Sequence, residues 1–286
     1  MDRALAPAAF LGHGSPMNTL EDNRYTAAWR ALGRAIVPRP RAVLVVSAHW
    51  YLNASAVTAM QAPRTIHDFY GFPQELFDFS YPAPGSPEVA GEVAEVVKPD
   101  WLGLDRDSWG LDHGAWSVLA HVFPEADVPV LQLSINAAKD LDAHFELGAR
   151  LAPLRERGVM ILCSGDVVHN LRRIDFRRPE AANDWALRFD AAAREVMTGD
   201  PSRIGTLASH PDYAPSVPTP EHFLPLAYLA GLAHAAGEHA GVLVEGCSLG
   251  SISMTCYTLG MPVAANGAGA DAATLPRSIP AEDTNT

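Results

Sequence analysis

The main pattern along the chain is a series of continuous apolar runs that end at polar residues able to bind a ligand. The clearest run, AVLVVSAHW at residues 42–50, ends at His49. An earlier run at residues 8–12 leads into LGHGSPMN, which places His13 between two glycines. Apolar runs without alternation are typical of parallel strands covered on both faces, which carry functional groups at their carboxyl ends. The pattern therefore predicts two strands that deliver His13 and His49 to one edge of a sheet.

Further apolar segments predict the remaining elements. Strands are expected at residues 55–60, 101–104, 128–135, 158–164, 242–245 and 252–257, the first of them exposed. Helices are expected at residues 25–35, 87–97, 114–122, 141–154, 185–197 and 221–235. Thr219 and Pro220 form a good start signal for the last helix, which would place His222 in its first turn. Helices between buried strands predict an α/β fold.

One catalytic domain is expected over residues 1–265. The 286-residue chain shows no linker and no internal repeat, and single α/β domains of this size are common. Residues 266–286 are mainly Ala, Gly, Pro, Asp and Thr, with few large apolar side chains. This composition predicts a disordered tail without a function.

Composition and charge narrow the classes of function. The chain is 48% hydrophobic and 19% charged, which is typical of a soluble globular protein. A net charge of −12 argues against nucleic acid and anionic membranes as partners and favours a small-molecule substrate. The 3 cysteines show no CxxC spacing, which argues against a disulfide framework and a thiolate zinc site. The N-terminal stretch does not fit a signal peptide and no apolar run is long enough to span a membrane, so a cytoplasmic protein is expected.

Five of the 11 histidines lie at predicted turns or element ends: His13, His49, His113, His169 and His222. Any one of them alone is more simply explained as a structural residue that makes a hydrogen bond. Their joint placement favours a metal site, since neutral imidazole binds Zn²⁺ and Fe²⁺, and three protein ligands leave positions open for catalysis. The sequence has no HExxH motif, so the ligands must converge from distant segments.

A competing motif, GCSLG at residues 246–250, matches the GxSxG nucleophile elbow of hydrolases. That motif requires a helix after the serine, here Ser248, and a histidine further along the chain. No histidine follows His239. The motif is therefore interpreted as a turn.

Six motifs together, LGHGSPMN, SAHW, TIHDFYGFP, LDHGAW, SGDVVHNL and TPEHFLPL, occur in one order between about Phe10 and Ser253. In this order they resemble the class III extradiol ring-cleaving dioxygenases, in the branch similar to 4,5-DOPA dioxygenase. The resemblance implies a single α/β domain with a central mixed, mostly parallel sheet flanked by helices on both faces, and one metal ion.

The resemblance also implies roles for the histidines. His13, His49 and His222 would bind the metal, with Fe²⁺ expected for activity and Zn²⁺ possible in the same site. His169 would be the acid–base residue, close enough to act as a fourth ligand in a zinc-loaded form. His113 would lie near substrate and oxygen. In better-known members of the class the third ligand is a carboxylate, whereas TPEH offers His222, with a glutamate beside it.

The implied reaction inserts O₂ into a catechol with a DOPA-like side chain and opens the ring to a muconic semialdehyde. The loop at residues 65–73 is expected over the site, with His67, Asp68 and Tyr70 as candidate substrate contacts. Ser15 and Trp50 are expected to shape the pocket. Packing within the loop explains these residues nearly as well.

Two other functions are compatible with the same histidines. One is a zinc hydrolase that activates water, and the other is a non-catalytic metal-binding or storage protein, which would not need His113 and His169. The sequence leaves open the catechol, the ring bond that breaks, the native metal and the oligomeric state.

Overall fold

A mixed sheet forms the centre of the protein, which is described by a computed structural model over residues 5–261 and 270–284. The strands are β1 (Ala8–Gly12), β2 (Ala42–Leu52), β3 (Ala56–Thr58), β4 (Gly103–Asp105), β5 (Val130–Asn136), β6 (Val159–Gly165), β7 (Gly241–Val244), β8 (Cys247–Ser248), β9 (Ile252–Ser253) and β10 (Cys256–Leu259). The helices are α1 (Arg24–Ala35), α2 (Gln74–Asp78), α3 (Pro87–Val96), α4 (His113–Val122), α5 (Leu141–Arg150), α6 (Ala152–Glu156), α7 (Asp184–Gly199), α8 (Tyr213–Ser216) and α9 (Leu224–Ala236). Short 3₁₀ helices lie at Pro16–Thr19, Leu171–Arg173, Pro201–Ser209 and Ala281–Asp283.

Eight strands form the main sheet in the order β4-β3-β5-β2-β6-β1-β10-β7. The four central strands, β5, β2, β6 and β1, pair in parallel. Antiparallel pairs occur towards both edges, where β3 joins β5 and β10 joins β1 and β7. The predicted fold class, a single α/β domain with a mixed, mostly parallel sheet, is confirmed.

Strand β2 shows why the apolar runs lack alternation. Leu44 and Val46 pack into a core on one face of the sheet, which includes residues of α5, α7 and α9. Val43 and Val45 pack into a second core on the other face, with residues of α1 and α4. All four side chains are fully buried. Helices on both faces thus require apolar residues at every position of a central strand.

Two predicted elements differ from the structure. The strand expected to be exposed at residues 55–60 is β3, whose Val57 is buried because the strand lies inside the sheet between β4 and β5. The last predicted helix begins at Leu224, with Pro225 in its first turn, and not at residue 221. His222 therefore lies in the turn that precedes α9. Both Pro220 and Pro225 fit a helix start, since a first-turn N–H needs no partner within the helix.

The described part of the C-terminal segment, residues 270–284, differs from the expected disorder. The amide of Ala273 donates to Asn18 Oδ1 at 2.9 Å, and the amide of Tyr70 donates to the carbonyl of Thr284 at 2.9 Å. The buried apolar residues of the segment are Ala272, Ala273, Leu275 and Ala281. Small apolar side chains and main-chain hydrogen bonds hold it against the domain. The other residues of the predicted tail, 266–269 and 285–286, lie outside the described residues.

Among the helices of the described residues, none combines the length and the apolar character that a membrane crossing requires.

Candidate metal centre

Parallel strand pairing brings polar side chains to one edge of the sheet. β1 and β6 end side by side, with Gly12 paired to Gly165, so the next residues, His13 and Asp166, emerge together. β2 runs parallel to β6 on its other side and carries His49 near its carboxyl end. Three neighbouring strands thus supply two imidazoles and one carboxylate to the same place.

The other three histidines reach this edge from loops and a helix start. His113 is the first residue of α4, whose N-terminus is capped by the side chain of Asp112. His169 follows β6, and its amide donates to the carbonyl of Ser216 at 2.9 Å. The turn before α9 is fixed by the amide of Asp166, which donates to the carbonyl of His222 at 2.9 Å.

All five histidines predicted from the sequence lie together. The Nε2 atoms of His13 and His49 are 3.2 Å apart. The ring of His222 lies 5.4 Å from that of His13, and the ring of His169 stacks on it at 3.5 Å. Three overlapping sets of residues bring their possible ligand atoms within 4.8 Å of one another: His13, His49 and His113; His13, Asp166 and His222; and His169, Glu221 and His222.

Each of the three histidines implied as ligands has an oxygen atom beside its Nδ1. An imidazole that donates from Nδ1 keeps its lone pair on Nε2, and such outer partners fix the orientation of metal-binding rings. The Ser164 hydroxyl donates to the carbonyl of Gly114, which leaves its oxygen free to accept from His13. Hydrogen bonds join His13 Nδ1 to Ser164 Oγ at 3.0 Å and His222 Nδ1 to Glu221 Oε1 at 3.3 Å. Asp68 Oδ2 lies 3.3 Å from His49 Nδ1, a close contact without the orientation of a hydrogen bond.

Burial favours the neutral form of three of the histidines. Loss of solvation lowers the pKa of His13, His49 and His169 well below the usual range, and the neighbouring histidines lower each pKa further. Neutral imidazole is the form that donates an electron pair to a metal. Burial raises the pKa of Asp166 well above its usual range, which a nearby cation would oppose.

Unpartnered polar atoms show that the residues present fit a cation. His222 Nε2, Asp166 Oδ2 and both ring nitrogens of His113 are buried without a hydrogen-bond partner among the described residues. Buried polar atoms are rarely left unpaired. A nitrogen-rich set with one carboxylate suits Fe²⁺ or Zn²⁺.

Asp68 supports the cluster from behind. Its Oδ1 accepts from the amide of His113 at 2.9 Å, and its Oδ2 lies 3.0 Å from His113 Nδ1, although their orientation is not that of a hydrogen bond. The carboxylate is buried against His49 as well. The structure therefore places Asp68 among the groups that orient the histidines.

A cavity of about 470 Å³ opens beside the cluster. His49, His169 and His222 lie on its wall. The remaining lining residues are Ala48, Tyr51, Asn170, Leu171, Arg172, Pro218, Thr219, Glu221 and Glu282. Another cavity, of about 440 Å³, lies beside α7 and is lined by none of the five clustered histidines. The two cavities are similar in volume, so the histidines on its wall identify the first one as the candidate site.

Two residues expected to shape the pocket, Ser15 and Trp50, do not line this cavity. The Ser15 hydroxyl donates to the carbonyl of Thr274 at 3.0 Å and so anchors the C-terminal segment. Trp50 is buried and stacks on Trp109 with ring centroids 5.6 Å apart.

The loop at residues 65–73 also contributes no residue to the cavity lining. His67 Nε2 lies 2.9 Å from the carbonyl of Phe79, within a group of aromatic rings. Tyr70 is 59% exposed. The loop lies along the segment before α4, where the amide of Ile66 donates to the carbonyl of Leu111 at 2.7 Å.

Three polar lining residues lie outside the six motifs and were not predicted as substrate contacts: Tyr51, Arg172 and Glu282. Tyr51 and Arg172 directly follow the SAHW and SGDVVHNL motifs, so extending each motif would have found them. No sequence pattern marked Glu282 as a site residue, because its position beside the cavity depends on how the C-terminal segment packs against the domain.

Ser248 lies in β8 and is followed by a turn in which Leu249 has a φ of 54° and Gly250 a φ of 81°. The helix that a nucleophile elbow requires does not follow it. The interpretation of GCSLG as a turn is confirmed.

Comparisons with known proteins agree with this site. Residues 7–259 match the family described as the catalytic LigB subunit of aromatic ring-opening dioxygenase. The 4,5-DOPA dioxygenase extradiol of Escherichia coli K12 is 46% identical over 264 residues, which cover 91% of this chain and 97% of the relative. The protein of the same name from Beta vulgaris is 36% identical over 241 residues, covering 81% of this chain and 87% of the relative.

A solved structure shows the same fold. The crystal structure of an uncharacterized Escherichia coli K12 protein superposes with a TM-score of 0.78 at 41% identity, covering 89% of this chain and 99% of the other. These matches do not favour the zinc hydrolase or the storage protein, and they confirm the resemblance carried by the six motifs. The chain belongs to the family of catalytic LigB subunits of aromatic ring-opening dioxygenases, and its enzymatic class is extradiol ring cleavage.

Proposed function

We propose that the enzyme is Fe²⁺-dependent and opens the ring of a catechol that carries an amino-acid side chain, as DOPA does. The observation that carries the proposal is the grouping of His13, His49 and His222, whose ring centroids lie 5.0–5.4 Å from one another and whose Nδ1 atoms each lie beside an oxygen. His49 and His222 lie on the wall of a cavity of about 470 Å³. Relatives from Escherichia coli and Beta vulgaris bear the name 4,5-DOPA dioxygenase extradiol.

His13, His49 and His222 would hold the metal. Bound Fe²⁺ would supply the one-electron chemistry that lets O₂ react with a catechol, which Zn²⁺ lacks because it has no accessible redox change. His113 belongs to another possible ligand set with His13 and His49, but it does not line the cavity. His222 is therefore the better third ligand for a site that also receives substrate.

His169 is suited to move a proton. Its ring lies on the cavity wall, stacked on His222, and burial lowers its pKa so that the ring is neutral at pH 7. A neutral ring nitrogen can accept the proton of a catechol hydroxyl and return it after the ring has opened.

His113 closes the inner end of the site. Its ring centroid is 3.8 Å from that of His49 and 5.8 Å from that of His13. Both ring nitrogens lack a hydrogen-bond partner in the described chain, and Nδ1 lies 3.0 Å from Asp68 Oδ2. Nε2 is therefore the nitrogen available to O₂ or substrate that reaches the histidine cluster.

Charged residues on the cavity wall favour a zwitterionic side chain. Arg172 offers a cation, and Glu221 and Glu282 offer anions, on the lining of the same cavity. A carboxylate on the substrate would pair with Arg172, and an ammonium group would pair with Glu282. Glu221 is already occupied by His222.

The test is oxygen uptake with product absorbance, after anaerobic loading of the protein with Fe²⁺ or, in parallel, Zn²⁺. We expect only the Fe²⁺ form to consume O₂ with DOPA and to yield a yellow semialdehyde, with weaker activity on caffeate and protocatechuate. The His169→Ala variant should lose this activity. No oxygen uptake by the Fe²⁺ form with any of these catechols would refute the proposal.

A further inference from the structure

Asp166 is held at two atoms, its amide nitrogen and Oδ1, between the segments that carry His13 and His222. Its amide donates to the carbonyl of His222 at 2.9 Å, and its Oδ1 accepts from the amide of Gly14 at 3.1 Å. The residue is completely buried. Its carboxylate is therefore fixed in orientation, with Oδ2 as the remaining atom.

Oδ2 of Asp166 points into the histidine cluster. It lies 3.6 Å from His13 Nε2 and has no hydrogen-bond partner among residues 5–261 and 270–284. With His13 and His222 it forms a set whose ligand atoms lie within 4.8 Å of one another. An unpaired carboxylate oxygen in the interior is costly unless a cation or donor faces it.

Two other buried carboxylates in the protein are satisfied at both oxygens. Asp112 and Asp190 are buried, as Asp166 is, yet each oxygen of both receives a donor. The donors are the Ser47 hydroxyl and the Gln132 amide for Asp112, and the hydroxyls of Ser253 and Thr255 for Asp190. A third buried acid, Asp68, also has an oxygen without a hydrogen-bond partner among the described residues, and this Oδ2 too lies against the histidines, 3.0 Å from His113 Nδ1 and 3.3 Å from His49 Nδ1. Open carboxylate oxygens thus occur at the histidine cluster and not at Asp112 or Asp190.

Distances decide whether Oδ2 can share a metal with the histidines. Two ligands with bonds of about 2.1 Å to one ion lie about 3.0–3.4 Å apart. The separation is 3.2 Å between His13 Nε2 and His49 Nε2, inside this range, and 3.6 Å between His13 Nε2 and Asp166 Oδ2, just beyond it. A small shift of either side chain would let both atoms bind one ion. We infer that Asp166 is itself a ligand, which completes a set of three imidazoles and one carboxylate.

The added charge has a consequence for binding. Three neutral imidazoles leave a divalent ion with its full charge, whereas one carboxylate halves it and increases the affinity of the protein for the ion. The inference rests on the proposed metal centre. It concerns how tightly that centre binds its ion, so the role of Asp166 can be wrong while the metal centre is right.

The experiment titrates metal-free protein with Co²⁺, measuring visible absorbance and competition with a chelator. Asp166→Asn keeps the size of the side chain and an oxygen for the Gly14 amide but removes the charge. Asp190→Asn is the matched control, because it removes another buried carboxylate, whose oxygens both accept hydrogen bonds away from the histidines. We expect Asp166→Asn to weaken Co²⁺ binding by more than about tenfold and to change the spectrum, since outer partners alone already account for about 10–100-fold.

The outcomes separate the two proposals. A wild-type protein that binds no Co²⁺ would overturn the metal centre together with this inference. Wild-type affinity and spectrum in Asp166→Asn would overturn the inference alone. If the variant does not fold, a crystal structure of the wild-type Zn²⁺ form decides: Oδ2 at about 2.0–2.2 Å from the ion supports the assignment, and Oδ2 beyond bonding distance contradicts it.

Discussion

The histidine cluster and the charged wall of the cavity are neighbours, but the fold positions them by different means. His13 and His49 stand at the carboxyl ends of two strands whose central residues are buried, and each has an oxygen atom beside its Nδ1. Arg172 and Glu282 are exposed side chains on short 3₁₀ helices, one of them in the C-terminal segment. The first region is rigid and desolvated, and the second can change without disturbing the sheet.

This difference suggests that the histidine cluster determines the reaction and that the charged wall determines which substrate is preferred. A metal site needs ligands held within a few tenths of an ångström, which strand ends and hydrogen bonds provide. Recognition of a substrate side chain needs charge at a roughly fixed place, which a surface helix provides. Mutations in the cluster should therefore abolish the reaction, and mutations on the wall should change which catechol is preferred.

The largest effect is expected from removing a ligand. His49→Ala should abolish metal binding and reduce activity by at least about a thousandfold, because a direct ligand contributes more than the outer partners, which account for about 10–100-fold. Metal content after loading and oxygen uptake measure the two effects. His239→Ala, at an exposed histidine, is the control and should behave as wild type. Retained metal binding in His49→Ala would break the assignment of the cluster.

The next effect is on proton transfer. His169→Gln should lower kcat by about 10²–10⁴-fold, the range for loss of a general acid–base group, while metal binding remains. His67→Gln is the matched control, since the sequence suggested a substrate contact there but His67 does not line the cavity. Single-turnover oxygen uptake with preloaded Fe²⁺ distinguishes the two variants. Equal losses in both would show that the loop at residues 65–73 approaches the substrate.

A third prediction concerns the support behind the cluster. Burial, and secondarily the nearby Asp68, raises the pKa of Asp112 to about 7. The folded state then holds this proton more tightly than the unfolded chain, so the contribution to stability is complete below about pH 4 and is lost as the pH rises to about 7. Each unit of pKa difference corresponds to about 1.4 kcal/mol, which limits the effect to a few kcal/mol. Urea denaturation at several pH values should show a smaller decline over this window in Asp112→Asn than in wild type, and an equal decline would contradict it.

The same contrast explains what the sequence could predict. His13 and His49 were found because a strand buried on both faces requires an unbroken apolar run, and its end is visible when a polar residue follows. His222 was found as a site residue, but its helix was placed three residues too early because Pro220 and Pro225 both fit a helix start. Local chemistry therefore predicted the cluster better than the exact element bounds.

The wall of the cavity depends on contacts between distant segments, which composition does not reveal. The C-terminal segment looked disordered, yet the Asn18 side chain accepts from its Ala273 amide. The loop at residues 65–73 was expected over the site; its Asp68 packs against the histidines, but none of its residues lines the cavity. A bond from the Ile66 amide to the Leu111 carbonyl holds it beside the segment before α4. In both cases a hydrogen bond between parts far apart in sequence decides the position.

The smallest effect is expected from mutations of the charged cavity wall, and these test most directly whether the wall controls substrate preference. Arg172→Ala should raise KM for DOPA by about fivefold with little change in kcat, since exposed charge pairs contribute at most about 1 kcal/mol. KM for dopamine, which lacks the carboxylate, should not change. Arg173→Ala is the matched control, because the neighbouring arginine does not line the cavity.

Glu282→Gln tests the negative charge on the cavity wall, which is expected to bind the ammonium group of the substrate. It should weaken binding of DOPA and dopamine, which carry an ammonium group, and leave hydrocaffeate unchanged, because that catechol carries only a carboxylate. Steady-state oxygen uptake with the three substrates measures both variants. If Arg172→Ala and Glu282→Gln changed KM for all three equally, the wall would act on the catechol ring, and the separation between a fixed metal cluster and a selective rim would fail. A crossed pattern, with each variant affecting only substrates that carry the matching charge, would show that selectivity can be altered without touching the histidines.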